Sequence, residues 1–310
     1  MSQQTTDTIL MVRPAACGSN PETAESNAFQ SRAATDPAAD REAVAAEFDG
    51  FVDVLRSVGV NVLVLEDSQE PAKPDAVFPN NWFSTHADGR VLLYPMLSAK
   101  RRLERRTDAL AEVLKEAGFD SLRFDSTLVD QFEQQEKFLE GTGSVVFDHV
   151  NRAAYACRSP RTDDAVLTRL CELIGYEPVA FDAFDESGLA YYHTNVMMSV
   201  GSDFAIVCLE SVSEESRAML SERFASSGHE IVEITRAQAA RFAGNIIELC
   251  TNSGDRVLAL SDSALEALGE DAARFEARGI RLAHAPIPTI ERLGGGSARC
   301  MIAEIFPSRA

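Results

Sequence analysis

The chain has no apolar run near the roughly 18 residues that a membrane span requires. Its opening residues, MSQQTTDT, lack the basic and apolar regions of a signal peptide. A cytoplasmic protein without a membrane partner is therefore expected. Positive charge is scarce: 29 Lys and Arg stand against 48 Asp and Glu, leaving a formal net charge of −19 over 310 residues. Phosphate contacts need clustered Lys and Arg, so nucleic acid is not an expected partner. The six cysteines (Cys17, Cys157, Cys171, Cys208, Cys250 and Cys300) form no C-x-x-C pair and have no companion histidine at zinc spacing. Neither a disulfide framework, a metal centre nor a cofactor is implied.

A composition of 45% hydrophobic and 25% charged residues is that of a soluble globular protein. Length alone does not choose between one large domain and two, but a repeat does. Candidate amphipathic helices such as Arg41 to Ser57 and Ser213 to Ser226 stop at a glycine followed at once by a strand-like run. This happens at Gly59, Gly118, Gly175, Gly228 and Gly279, at intervals of 51 to 59 residues. Alternating runs at Arg90 to Tyr94, Phe204 to Leu209 and Arg256 to Leu260 read as hairpin partners. Helices alternating with strands indicate an α/β fold, and five similar units favour a single domain over residues 1–310, closed into a ring.

Polar residues recur at one place in the repeat. Asn81 and Glu140 lie 22 residues beyond their helix-ending glycines, His193 18, Asn245 17 and Cys300 21. Equivalent positions in equivalent units point toward a shared axis, so these residues are expected to converge, carried on second strands. Cys300 follows Gly294, Gly295 and Gly296, a run that permits close backbone approach and delivers one cysteine to the head of the apolar stretch Met301 to Phe306. A thiolate nucleophile, a histidine that moves protons and a carboxylate favour attack on an electrophilic carbon bearing nitrogens. The other histidines fare differently: His86 and His149 read as loop residues, and His229 and His284 as strand residues without a companion. The remaining cysteines are expected to pack in the core or at loop ends.

Five motifs in order, Asp75-Ala-Val-Phe-Pro-Asn-Asn81, Glu140-Gly-Thr-Gly-Ser144, Ser159-Pro-Arg-Thr162, His193-Thr-Asn195 and Gly294-Gly-Gly-Ser-Ala-Arg-Cys300, resemble those of the guanidine-modifying (pentein) superfamily. That superfamily includes arginine deiminase, dimethylarginine hydrolase and amidinotransferases. The resemblance implies a five-bladed α/β propeller of pseudosymmetric ββαβ units around a central site. It also implies Cys300 as nucleophile, His193 as general acid and base, and Glu140 as its acidic partner. Substrate contacts are implied for Asp75, Phe78, Asn80, Asn81, Arg161 and Asn195, with Arg161 taking the α-carboxylate of an amino acid and Asp75 a substrate nitrogen. Arg101 or Arg102 is a further carboxylate contact, and Arg13 and Asn20 are suggested by the amino-terminal likeness. A homodimer is the family's suggestion.

Two departures bear on the substrate. Arginine deiminase and dimethylarginine hydrolase carry aspartate where this chain has Asn81, and arginine deiminase also where it has Asn195. An amide offers a donor as well as an acceptor, which suits a neutral ureido group better than a cation. The stretch MVRPAACGSNPETAESNAFQ, with PNNW and FLEGTGS, is similar to the citrulline hydrolase (citrullinase) branch. The implied reaction is attack of the Cys300 thiolate on the ureido carbon of citrulline and departure of ammonia protonated by His193. Water activated by His193 then cleaves the S-linked intermediate, giving ornithine, carbon dioxide and ammonia. Alternatives are a guanidino-substrate enzyme of the same superfamily and a non-catalytic binding module on the same fold, the latter disfavoured by Cys300, His193 and Glu140.

Overall fold

Five sheets of three strands each carry the β-structure of the computed structural model, which describes residues 3–16, 18, 20, 22, 27, 29, 30 and 36–309. One sheet holds β1 (Thr8–Arg13) and β2 (Asn61–Glu66); the next holds β3 (Phe83–Thr85), β4 (Arg90–Leu93) and β5 (Arg123–Asp125). Then come β6 (Val146–Asp148), β7 (Ala153–Cys157) and β8 (Glu177–Phe181), followed by β9 (Met198–Val200), β10 (Phe204–Val207) and β11 (Glu230–Glu233). The last consecutive set is β12 (Ile247–Cys250), β13 (Arg256–Ser261) and β14 (Arg281–Ala285), and β15 (Ala303–Glu304) completes the first sheet.

All five follow one plan, an edge strand antiparallel to a central strand that lies parallel to the third. A parallel neighbour demands a crossover. The crossovers are the helices Pro37–Ser57, Thr107–Glu116, Asp164–Ile174, Glu214–Ser226 and the pair Asp262–Leu268 and Ala272–Glu276. Four begin at a side-chain cap, from Asp36, Asp163, Ser213 and Ser261. The glycines read as helix stops, Gly59, Gly118, Gly175, Gly228 and Gly279, all take positive φ, between 72° and 97°. That conformation turns the chain back into the parallel strand at little steric cost.

Helix–sheet packing follows the sequence period: Val44, Phe48, Phe51, Val52 and Leu55 of the first helix are buried with Ile9 and Met11 of β1. The first sheet is assembled from both ends of the chain, with Ile9 opposite Glu304 and Leu10 opposite Ala303. The segment carrying Cys300 is thereby tied to the opening strand. Neighbouring sheets meet edge to edge, β15 against β3, β6 against β9 and β9 against β12. Backbone bonds make two further links, from Leu139 N–H to the Pro95 carbonyl and from Cys250 N–H to the Thr6 carbonyl, both 3.1 Å.

Before each edge strand the chain makes a tight turn, at Pro79–Asn81, Gly141–Ser144, Thr194–Val196, residues 242–245 and Ala298–Met301. These turns and the residues just before them, rather than the strands, carry Asn81, Glu140, His193, Asn195, Asn245 and Cys300. Strand side chains alternate across the two sheet faces, whereas a turn at the head of a strand sends its side chains past the sheet edge. The second turn packs against the first and third, and the first against the last.

Three sequence expectations change. Arg13 pairs with Asp49 through two 2.8 Å bonds at the surface, away from the converging turns. His284 has a companion, its Nδ1 lying 2.7 Å from Asp262 Oδ1. His229 precedes β11 and contacts Ser227 Oγ and the Gly201 carbonyl. Cys157, Cys171 and Cys208 are buried and Cys250 is half-buried; Cys17 lies outside the described residues.

Gly141 tests the close turn packing. Its φ is 49°, and a Cβ there would lie 2.1 Å from the Asn80 carbonyl oxygen. Gly141→Ala is expected to lower unfolding stability by about 2 kcal/mol or more, from backbone strain and overpacking together. Urea unfolding measures it, and a loss below about 0.5 kcal/mol, the range of an ordinary surface substitution, refutes the close packing.

Candidate active site

Cys300 sits in the last of the five turns and is 2% exposed. The helix Pro288–Gly294 stops at Gly295, which has φ 65° and donates its N–H to the Glu291 carbonyl at 2.9 Å. The glycine run makes room for the Phe78 ring: a Cβ on Gly294 would lie 2.4 Å from it and one on Gly296 3.1 Å. Phe78 thus packs beside the cysteine. Two amides converge on the sulfur, Asn195 Nδ2 donating at 3.4 Å and Asn245 Nδ2 at 3.2 Å.

The second cluster is built on Glu140, which is fully buried. Its Oε2 accepts from His193 Nε2 at 2.9 Å and lies 3.4 Å from Arg161 Nη1 and 3.8 Å from Arg101 Nη1. Its Oε1 accepts the Leu97 N–H at 3.1 Å. Burial alone would raise this carboxyl, but Arg161, the His193 hydrogen bond and Arg101 outweigh it and hold the group well below the usual carboxylate range. His193 moves down to about 4: burial lowers it, the Glu140 bond and charge pull it up, and Arg161 and Arg101 push it down again. At neutral pH the pair is a carboxylate and a neutral imidazole. The bond to Glu140 assigns the ring proton to Nε2, leaving the Nδ1 lone pair, beside Gly143, to accept a proton.

Two guanidinium groups complete the charge arrangement. Arg101 grips Glu104 through Nε at 3.0 Å and Nη2 at 2.9 Å, donates from Nη1 to Asn81 Oδ1 at 2.7 Å, and lies 3.7 Å from Asp75 Oδ2. Arg161 lies over the Tyr192 ring at 5.0 Å, a stacking that suits its planar group. Asp75 Oδ2 also accepts from Asn20 Nδ2 at 2.8 Å.

A narrow cavity opens between these groups, lined by Asp75, Phe78, Asn81, Arg101, Arg161 and Tyr192, with His193, Cys300, Asn27, Gly294 and Gly296. The structure therefore brings together most of the residues picked from the sequence. Glu140, Asn80 and Asn195 stand behind this wall: Glu140 on His193, Asn195 on the sulfur, and Asn80 with both side-chain polar atoms buried and unpartnered. Of the two neighbouring arginines, Arg101 turns inward; Arg102 reaches the Met96 carbonyl instead. Sequence reasoning missed Tyr192, Asn27 and Glu104. Glu104 had a local signal, since it lies three residues after Arg101 on the same turn.

The depressed histidine sets an acid limit on stability. An unfolded His193 takes up a proton near 6.5 and the folded one only near 4, so between those values the unfolded state binds more protons. The stabilisation is complete above about pH 6.5 and is lost as pH falls toward 4. Glu140, held down in the folded state, adds a loss at still lower pH. The thermal midpoint is expected to drop between pH 7 and 4, and His193→Gln to flatten the drop above pH 4 by an amount equivalent to about 2–3 kcal/mol. Equal slopes in the two proteins would contradict a buried neutral imidazole.

Known proteins resemble the chain in family and in fold. Residues 13–307 match the model of the family described as N,N dimethylarginine dimethylhydrolase, eukaryotic. No curated protein sequence matches the chain. Among solved structures, the amino-terminal domain of ArgZ bound to substrate, an arginine dihydrolase of the ornithine–ammonia cycle in cyanobacteria, superposes with a TM-score of 0.72 at 17% identity. That match covers 97% of this chain and 98% of the other. Unliganded AgrE gives a TM-score of 0.71 at 17% identity over 98% of this chain, which spans 40% of the AgrE chain. A dimethylarginine dimethylaminohydrolase adduct with S-methyl-L-thiocitrulline gives 0.63 at 14% identity, covering 98% of this chain and 100% of that one. At such identities the structures speak for the fold, and the mixed α/β architecture of five small sheets matches theirs. With the family model matching residues 13–307, nearly the whole chain, the chain belongs to the N,N-dimethylarginine dimethylhydrolase family of the guanidine-modifying (pentein) superfamily, whose members include hydrolases of carbon–nitrogen bonds.

Proposed function

We propose that this protein hydrolyses the ureido group of citrulline, with Cys300 as nucleophile, His193 as proton carrier and Glu140 as the group that holds His193. The observation that carries this reading is the state of Asn81. Its Oδ1 is taken by Arg101, while its Nδ2 is buried and has no partner. A buried donor without an acceptor is costly, and a ureido oxygen supplies the acceptor. A guanidinium presents only donors. Charge supports the same choice: the carboxylates Asp75 and Glu140 already face Arg101 and Arg161, so a neutral reacting group leaves the site balanced.

In this mechanism the thiol proton passes to His193 Nδ1 and the Cys300 sulfur adds to the ureido carbon. The imidazolium returns the proton to the terminal nitrogen, which leaves as ammonia, and the carbon stays bound to sulfur and to the ornithine nitrogen. Water loses a proton to His193 and adds to the same carbon. The C–S bond breaks, the thiol recovers its proton, and the released carbamic acid separates into carbon dioxide and ornithine. Arg161 is assigned the α-carboxylate and Asp75 a substrate nitrogen. The edge contacts between sheets support their closure as a five-bladed propeller around this site.

A guanidino substrate is the second reading. The family match and the acidic Asp75 in the cavity wall favour it.

Purified protein is assayed with citrulline, arginine and N,N-dimethylarginine, separating ornithine from citrulline and following ammonia. Ornithine from citrulline is the expected product, with Cys300→Ser lowering kcat by about a thousandfold or more. Asn81→Asp is expected to lower kcat/KM for citrulline about tenfold or more, because the amide donor is lost. Citrulline formed from either guanidino compound, with citrulline itself untouched, would overturn the ureido reading.

A further inference from the structure

Tyr192 precedes His193 and lines the candidate cavity, and it is 4% exposed. We propose that Tyr192 sets the length of substrate the site accepts, by fixing the distance between Arg161 and the turn that bears Cys300. The proposal rests on Arg161 taking the α-carboxylate and on Cys300 attacking the carbon at the other end of the substrate.

A molecule anchored at one end and attacked at the other is selected by the span between the two groups, since the reacting atoms must meet within a narrow range. Here the two groups belong to distant parts of the chain: Arg161 precedes the helix Asp164–Ile174, and Cys300 lies in the turn Ala298–Met301. Tyr192 touches both sides. On the first side, the Arg161 guanidinium lies over its ring at 5.0 Å, and Ser159 Oγ donates to its carbonyl at 2.9 Å. The same Ser159 Oγ accepts the Arg161 N–H at 3.1 Å. Ring and main chain of Tyr192 therefore hold both the side chain and the backbone of Arg161. On the second side, the Tyr192 hydroxyl donates to the Gly295 carbonyl, 103 residues further along. A carbonyl only accepts, so the hydroxyl proton is committed to it.

Gly295 is a firm point of attachment. It ends the helix Pro288–Gly294, and the short stretch onward to the cysteine is itself closed by a 3.0 Å bond from the Cys300 N–H to the Ser297 carbonyl. A Cβ on Gly295 would lie 2.6 Å from Asn27 Nδ2 and 2.8 Å from the Gln30 nitrogen, so the turn is also close-packed away from the tyrosine. Phe29 meets the Tyr192 ring edge-on, with centroids 6.0 Å apart. A tyrosine suits this place because its body is rigid and apolar and its far tip is polar. Phenylalanine would keep the stacking on Arg161 and lose the hold on Gly295.

The test compares kcat/KM for citrulline with that for homocitrulline, its homologue with one more methylene, in the wild type, Tyr192→Phe and Tyr192→Leu. The ratio of the two values from one preparation does not depend on the fraction folded, so a loss of stability alone leaves it unchanged. The wild type is expected to favour citrulline about tenfold or more, the ordinary worth of one methylene. Tyr192→Phe, which frees the turn and keeps the ring over Arg161, is expected to lower that preference about threefold or more. Tyr192→Leu removes the ring as well and is expected to lower the preference further and to raise KM for citrulline. A preference equal to the wild type's in both variants overturns the proposal. If citrulline is untouched and arginine reacts, the same ratio is read with arginine and homoarginine, so the ureido reading can fail while the role of Tyr192 is still decided. A wild type that turns over neither pair overturns both.

Discussion

A single buried carboxylate organises the candidate site. Glu140 is withdrawn from water, and an ion in that position is tolerable only when its lone pairs are filled. Leu97, His193 and Arg161 fill them, with Arg101 nearby. Each partner comes from a different part of the chain, so one charge draws together the loop after β4, the third-unit histidine and the arginine after β7. The same charge fixes the imidazole tautomer and thereby decides which ring nitrogen is available for proton transfer.

The second organising feature is close backbone approach between turns. Gly141 against Asn80 and Gly244 against Val196 admit no Cβ. The glycines before Cys300 serve the same end by a different route: they accept the Phe78 ring. The sequence reading took that run as a close backbone approach that presents the cysteine, without saying what is approached. In the structure it is first an approach to another part of the protein, and the cysteine gains its position from that packing.

The Asn81 and Asn195 substitutions, read together from the sequence as two contacts to substrate, separate in the structure. Asn81 lines the cavity beside Arg101, while Asn195 lies behind Cys300 and donates to its sulfur. An amide in place of a carboxylate thus has two different physical meanings here. At Asn81 it removes a charge from the cavity wall; at Asn195 it sets an N–H donor against the Cys300 sulfur.

The sequence by itself determined the repeat, the crossover helices and the convergence of Cys300, His193 and Glu140 on one place. It did so because helix-ending glycines and amphipathic periods are local properties, legible without neighbours. Tertiary structure alone decided that the polar residues ride on turns, that the carboxyl-terminal strand pairs with the amino-terminal one, and that Arg101 rather than Arg102 faces inward. It also decided what each amide touches. These outcomes depend on packing between residues distant in the chain, such as Asn245 with Asn195 and Cys300, and on burial, which together with Arg161 and Arg101 keeps His193 neutral well into the acid range.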